Sequence, residues 1–223
     1  MKRRALRARG GAATWALVRA ETTVWLRSAD GWLVTLLAAA LAALTCAWLG
    51  KLPTELSRLY AFAIAGSGAL AALVAALRIV PREGALVELW LAAPLFGREL
   101  ARAKVLAAGI RALPVLLAAY GAALFELRPD AVGAAALLFI GVAAAAICTP
   151  LVLAWDLRLA AVWSPLLAIP CGVLALAIGW SATLPRPYAA PATAALAVLL
   201  TYGTLRQLSE QLAAFEHYGS TSR

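Results

Sequence analysis

Charged residues are scarce in this chain. Of its 223 residues only 14% are Asp, Glu, Lys or Arg, whereas 64% belong to the hydrophobic set. Water-soluble domains carry about a quarter charged residues and about half apolar ones. A mean hydropathy of +0.85 points the same way. The composition therefore excludes an ordinary soluble domain and predicts that lipid surrounds most of the chain.

Clustered histidine and cysteine are also missing. The single histidine is His217, and Cys46, Cys148 and Cys171 each lie in an apolar run without Cys-x-x-Cys spacing. No zinc or haem site can be assembled from them, so we expect no metal site on this chain. Membrane hydrolases and lipid transferases need clustered His, Asp or Glu. Because no such cluster is present, we expect no catalytic residues and no enzyme.

The chain contains a series of long apolar runs instead. About 20 apolar residues cross the hydrocarbon core as a helix. Six stretches qualify: 32–49, 59–77, 104–125, 131–155, 159–182 and 188–205. Gly, Pro or Asp residues separate them, as at the break Arg128-Pro129-Asp130. We therefore predict an all-α membrane protein with six transmembrane helices, in a single transmembrane domain that spans residues 1–223. Prolines in the fifth stretch fit either a re-entrant turn or two kinked helices.

The remaining charge is unbalanced. The chain has 20 Lys and Arg against 11 Asp and Glu, a net charge of +9, which in a soluble protein would suggest nucleic acid. Fifteen of the 20 lie on one side of the predicted spans, four lie on the other, and one lies within a span. Positive residues accumulate in cytoplasmic loops. Both termini are thus predicted to be cytoplasmic, with lipid headgroups rather than nucleic acid as partners.

Residues 1–30 form the first of two long cytoplasmic segments. Tryptophans recur in it at helical spacing, on a face formed by Trp15, Val18, Thr22 and Trp25, while Arg19 and Glu21 occupy other faces and Arg27 follows. This pattern predicts an amphipathic helix in the headgroup plane, with Trp at the interface and Arg toward lipid phosphates. The alternative is a soluble lead-in to the first span.

Residues 78–103 form the second cytoplasmic segment. Pro81 suits a helix start, and Glu83 would lie near the positive end of that helix. Leu86, Leu89 and Trp90 then form a small apolar face, before Pro94 and Gly97 interrupt the helix. These features predict a rigid, charged knob on the cytoplasmic side; the alternative is a solvated connection without a partner.

Both segments resemble those of a known family. The stretch Leu17-Val18-Arg19-Ala20-Glu21, followed by Leu26-Arg27-Ser28, is similar to the amphipathic entry helix of ABC-2-type transporter permeases. The second segment is similar to the stretch between their helices two and three, which reads as an acidic residue, Gly, a small residue, Leu, Glu-x-Leu, Pro and then a Lys entering helix three. The matching residues here run from Arg82-Glu83-Gly84 through Pro94 to Lys104.

The resemblance implies a permease subunit, expected to be an exporter of a bacterial-type cytoplasmic membrane, that pairs as a homodimer or heterodimer with a similar permease. The segment after helix two would couple to a separate ATP-binding-cassette ATPase through Arg82, Glu83, Gly84, Leu86, Glu88, Leu89 and Pro94. This chain lacks a phosphate-binding loop, so ATP and magnesium would be bound by that partner. Alternatives are a haem-exporter B-like subunit of cytochrome c maturation and a membrane assembly factor without a transport role.

Arg111 is the charged residue inside a predicted span. It lies about 10 Å into the third span by helix rise. An intramembrane Arg marks a polar site by default. Its long side chain can also extend to the cytoplasmic interface beside Lys104, and the sequence leaves both readings open.

Overall fold

The computed structural model describes residues 2–49, 51, 59–76, 97–156, 166–184 and 188–221. Within these ranges the chain forms seven helices and no strands, which confirms the predicted all-α class. The helices are α1 (Lys2–Leu26), α2 (Ala29–Leu49), α3 (Leu59–Ala76), α4 (Gly97–Leu127), α5 (Ala131–Asp156), α6 (Ala168–Ala182) and α7 (Ala189–Thr221).

Four of these helices are long and apolar enough to cross a membrane. The qualifying stretches are Gly31–Leu49, Leu59–Ala76, Ala101–Leu127 and Ala131–Trp155, which coincide with the first four predicted runs. Of the fifth run the structure describes the 15-residue helix α6, which is shorter than the bilayer requires. The sixth run forms the first half of α7, which continues past the predicted end at Leu205 to Thr221.

Short polar side chains set the helix boundaries. The hydroxyl of Ser28 accepts a hydrogen bond from the Gly31 amide at 3.1 Å and caps α2. A carboxylate oxygen of Asp130 accepts one from the Gly133 amide at 2.9 Å and caps α5. Between α4 and α5, Arg128 adopts a φ of 43°, so the chain reverses at the predicted Arg128-Pro129-Asp130 break.

Large apolar side chains point outward and small ones point inward. On α2 the outward face is formed by Leu33, Leu36, Leu37, Leu41, Leu44 and Trp48, whereas the inward face consists of Thr35, Ala38, Ala39, Ala42 and Cys46. A soluble protein would bury the leucines to remove them from water. Their exposure here matches a chain whose outer surface contacts lipid.

Helix α3 is the central helix of the bundle. It packs against α2, α4, α5 and α6, with α5 as its most extensive neighbour. Small residues allow this close approach: a Cβ added to Gly68 would lie 2.9 Å from the Ala144 Cβ and would collide with the Gly141 carbonyl oxygen. A Cβ on Gly179 of α6 would lie 3.1 Å from the Cα of Phe62. Two neighbours of α3 therefore contact its backbone directly.

The packing at Gly68 can be tested with a matched pair of alanine substitutions. Gly68→Ala forces α3 and α5 apart and should lower the free energy of unfolding by about 1–3 kcal/mol. Gly66→Ala has no atom within 4 Å of its added Cβ and should be neutral or slightly stabilising, because alanine favours helix. Denaturant titration of the purified protein in mild detergent measures both. Equal effects of the two changes would contradict this account of the α3–α5 contact.

Candidate functional site

Three charged side chains lie inside the protein at one place. Glu21 of α1 and Lys104 of α4 are each 6% exposed, and Arg111 of α4 is 9% exposed. No other charged side chain among the residues whose side chains the structure describes is buried. Burying an ion is unfavourable unless it is paired, so these three residues form the candidate functional site.

The carboxylate of Glu21 holds the cluster together. One of its oxygens, Oε1, forms an ion pair with Lys104 Nζ, and the other, Oε2, lies 3.7 Å from Arg111 Nη2. The same Nη2 atom donates a hydrogen bond of 2.9 Å to the backbone carbonyl oxygen of Glu21. Lys104 and Arg111 are seven residues apart, which places both on one face of α4. Helix α1 is thus attached to α4 through a side chain and through its backbone.

The end of α1 is also attached to α2. Trp25 stacks on Trp32 with 4.7 Å between ring centroids and 26° between ring planes. The indole nitrogen of Trp32 donates a hydrogen bond of 3.2 Å to the Leu26 carbonyl oxygen. This contact fixes the turn that joins the two helices.

The predicted interface residues fall on different sides of α1. Trp15 is 63% exposed, and Arg19 and Arg27 are also exposed, whereas Trp25 is half-buried. Trp15 and Arg19 lie one turn apart on the outside of the protein, as contact with headgroups requires. Glu21 is buried against α4. The contact of this helix with lipid stays a prediction.

The residues predicted to couple to an ATPase, Arg82, Glu83, Gly84, Leu86, Glu88, Leu89 and Pro94, lie outside the described residues. The first helix after them is α4, which begins at Gly97. Lys104 lies two turns into that helix. The buried cluster is therefore adjacent in the chain to the predicted coupling segment.

Sequence reasoning singled out each member of the cluster separately and missed that they contact one another. Glu21 is the one acidic residue among residues 1–29, which otherwise carry only basic charge. Two cations spaced seven residues apart then follow in the third apolar run. This combination of one acidic residue and two spaced cations was the sequence feature that could have indicated the cluster. It does not predict that Glu21 pairs with Lys104, because more than 80 residues separate the two.

No protein-family model and no curated protein matches the chain.

Removing the Glu21 charge should destabilise the protein strongly. Glu21→Gln keeps the shape of the side chain but leaves the charges of Lys104 and Arg111 buried without their carboxylate, at a cost of about 3–5 kcal/mol. The expected result is a large decrease in the free energy of unfolding, measured by denaturant titration in detergent.

Glu210→Gln is the matched control. Glu210 pairs with Arg206 at 2.7 Å on α7, and both side chains are mostly exposed, so water already solvates the two charges and the pair contributes little. No measurable change in stability is expected. A Glu21→Gln protein as stable as Glu210→Gln would contradict the structural importance of the buried carboxylate.

Proposed function

We propose that this chain is the permease subunit of an ATP-driven transporter, an exporter of a bacterial-type cytoplasmic membrane. ATP and magnesium bind to a separate ATP-binding-cassette subunit, and the permease works as a dimer with itself or with a similar subunit. The observation that carries the proposal is the ionic attachment of α1 to α4, directly after the segment that resembles a coupling element.

The mechanical requirement of such a transporter supports the proposal. A partner that closes on ATP can move membrane helices only through a stiff cytoplasmic contact. Helix α4 runs from Gly97 to Leu127 and contains Pro114, which removes one hydrogen bond of the helix and favours a kink there. Lys104 and Arg111 both precede this proline. Displacement of residues 78–96 would therefore act directly on the part of α4 that is attached to α1.

The orientation required by the proposal places both termini in the cytoplasm, with α6 and α7 completing six membrane-spanning segments. The positive charges support this orientation. Basic residues are concentrated before α2 and from Arg78 through the first turns of α4 to Lys104, and Arg206 and Arg223 follow the apolar part of α7.

Thiol labelling tests this orientation. The native Cys46, Cys148 and Cys171 are buried and should give a low background with a membrane-impermeant maleimide. In intact cells, cysteine introduced at the exposed Arg128 should be labelled, and cysteine introduced at the exposed Arg206 should be labelled only after the membrane is opened. Labelling of Arg206→Cys in intact cells would overturn the orientation.

Co-purification tests the function itself. The tagged full chain, extracted from its native membrane in mild detergent, should retain a protein that has a phosphate-binding loop, and the complex should hydrolyse ATP. Glu83→Lys and Glu88→Lys reverse the charge of the proposed contact. Either change should release the ATPase or remove the stimulation of its activity by this chain.

Glu126→Lys is the control, because Glu126 is exposed near the opposite end of α4 and its substitution should leave the ATPase bound and stimulated. Retention of no ATPase by the unsubstituted chain would favour the membrane assembly factor. Normal retention and stimulation with both Glu83→Lys and Glu88→Lys would show that these residues are not the contact.

A further inference from the structure

We propose that the Glu21 carboxylate joins α1 and α4 into one moving body, so that displacement of the segment 78–96 reaches α1 through Glu21. This role of Glu21 rests on the proposed function. Glu21 is a positioning residue, because it holds α1 in place on α4. Lys104 and Arg111 are the two groups through which it acts.

Helix α4 is the main packing partner of α1. Helix α1 packs extensively against α4 and only slightly against α2. Glu21 contacts α4 and is buried, and Val18, about one turn before it on α1, is buried as well. A helix with one extensive neighbour follows that neighbour when it moves, provided that the contact resists sliding and rotation.

The geometry of the cluster provides that resistance. Lys104 contacts the Glu21 side chain, while Arg111 contacts both the side chain and the backbone carbonyl oxygen of the same residue. The two cations are about two helical turns apart on α4. Contacts from two positions on one helix to one residue of the other oppose sliding of α1 along α4. The bond to the backbone opposes rotation of α1 about its own axis.

Burial makes the attachment an all-or-none contact. Separating α1 from α4 would leave three charges to be solvated anew, whereas small tilts of both helices together would leave every pair intact. Buried polar networks of this kind have discrete arrangements rather than continuously variable ones. The same displacement carries the exposed Trp15 and Arg19, the residues predicted to contact headgroups.

Distance measurements between spin labels test the inference in the full chain with its partner ATPase in lipid nanodiscs. The native cysteines are replaced, and labels are placed on exposed positions of three helices: Ala16 on α1, Leu117 on α4 and Phe139 on α5. In the otherwise unsubstituted protein the 16–117 distance distribution should be narrow and unchanged by ATP. The 16–139 and 117–139 distances should both shift on addition of ATP.

Glu21→Gln should at least double the width of the 16–117 distribution and abolish the ATP response of the 16–139 distance. The 117–139 response should persist, which a general loss of structure would not allow. Glu210→Gln should behave as the unsubstituted protein. Lys104→Gln removes one of the two cations but leaves Glu21 paired with Arg111, so it should also widen the 16–117 distribution, and it serves as the second variant if Glu21→Gln does not fold.

A Glu21→Gln protein with an unchanged 16–117 width and a normal 16–139 response overturns the inference. Failure of the proposed function has a different signature, in which ATP changes no distance in the unsubstituted complex. In that case the width of the 16–117 distance distribution, measured without nucleotide, still shows whether the carboxylate holds α1 on α4. If Glu21→Gln leaves this width unchanged, the attachment itself is refuted.

Discussion

The direct contact of the α3 backbone with α5 is the constraint on which the rest of the bundle depends. In lipid there is no hydrophobic driving force between helices, because the lipid tails are as apolar as the side chains. Association then depends on van der Waals contact, which weakens steeply with small gaps. Gly68 brings α3 against the Gly141 carbonyl and Ala144. The outward position of the leucines on α2 follows from the same constraint, because large side chains between the helices would prevent the approach.

Helix α1 cannot be held by that kind of packing. It is rich in arginine, its exposed side chains include Trp15 and Arg19, and it packs extensively against one neighbour alone. The buried ion pairs of Glu21 supply the attachment that small-residue packing supplies elsewhere. Burying three charges gains little stability compared with an apolar contact of equal size. The ionic cluster instead fixes the position of α1 along α4, because two apolar helix surfaces can slide past each other whereas paired charges cannot.

The elements that a local pattern specifies were predictable from the sequence. The apolar runs of α2, α3, α4 and α5 and the break at Arg128-Pro129-Asp130 follow from composition and turn chemistry within a few residues. The central place of α3 was not predictable in the same way, because α2 and α3 are similarly apolar. Their glycine and serine content distinguishes them only after the packing is known. The cluster of Glu21, Lys104 and Arg111 was still harder to predict, because it joins two helices that are remote in the sequence. In the sequence, Glu21 looks like any other charged residue of a mostly basic segment.

The polar groups inside the bundle bear on where a transported molecule could pass. Among the described residues most buried hydroxyls bond to their own helix: Thr35 to the Gly31 carbonyl, Thr149 to Ala145 and Thr204 to Leu200. Ser181 and Thr193 also bond to each other at 3.0 Å, between α6 and α7. Groups satisfied in this way are not available to replace the hydration of a polar substrate. The hydroxyl of Tyr60 is buried without a hydrogen-bond partner among the described residues, but the described helices otherwise bring alanine and glycine together at their centre. The pathway of the proposed transporter is therefore expected between this chain and a second subunit. In the proposed transporter the dimer would then take part in the transport mechanism, and the attachment of α1 to α4 would let one cytoplasmic contact move several of the surfaces that line the pathway.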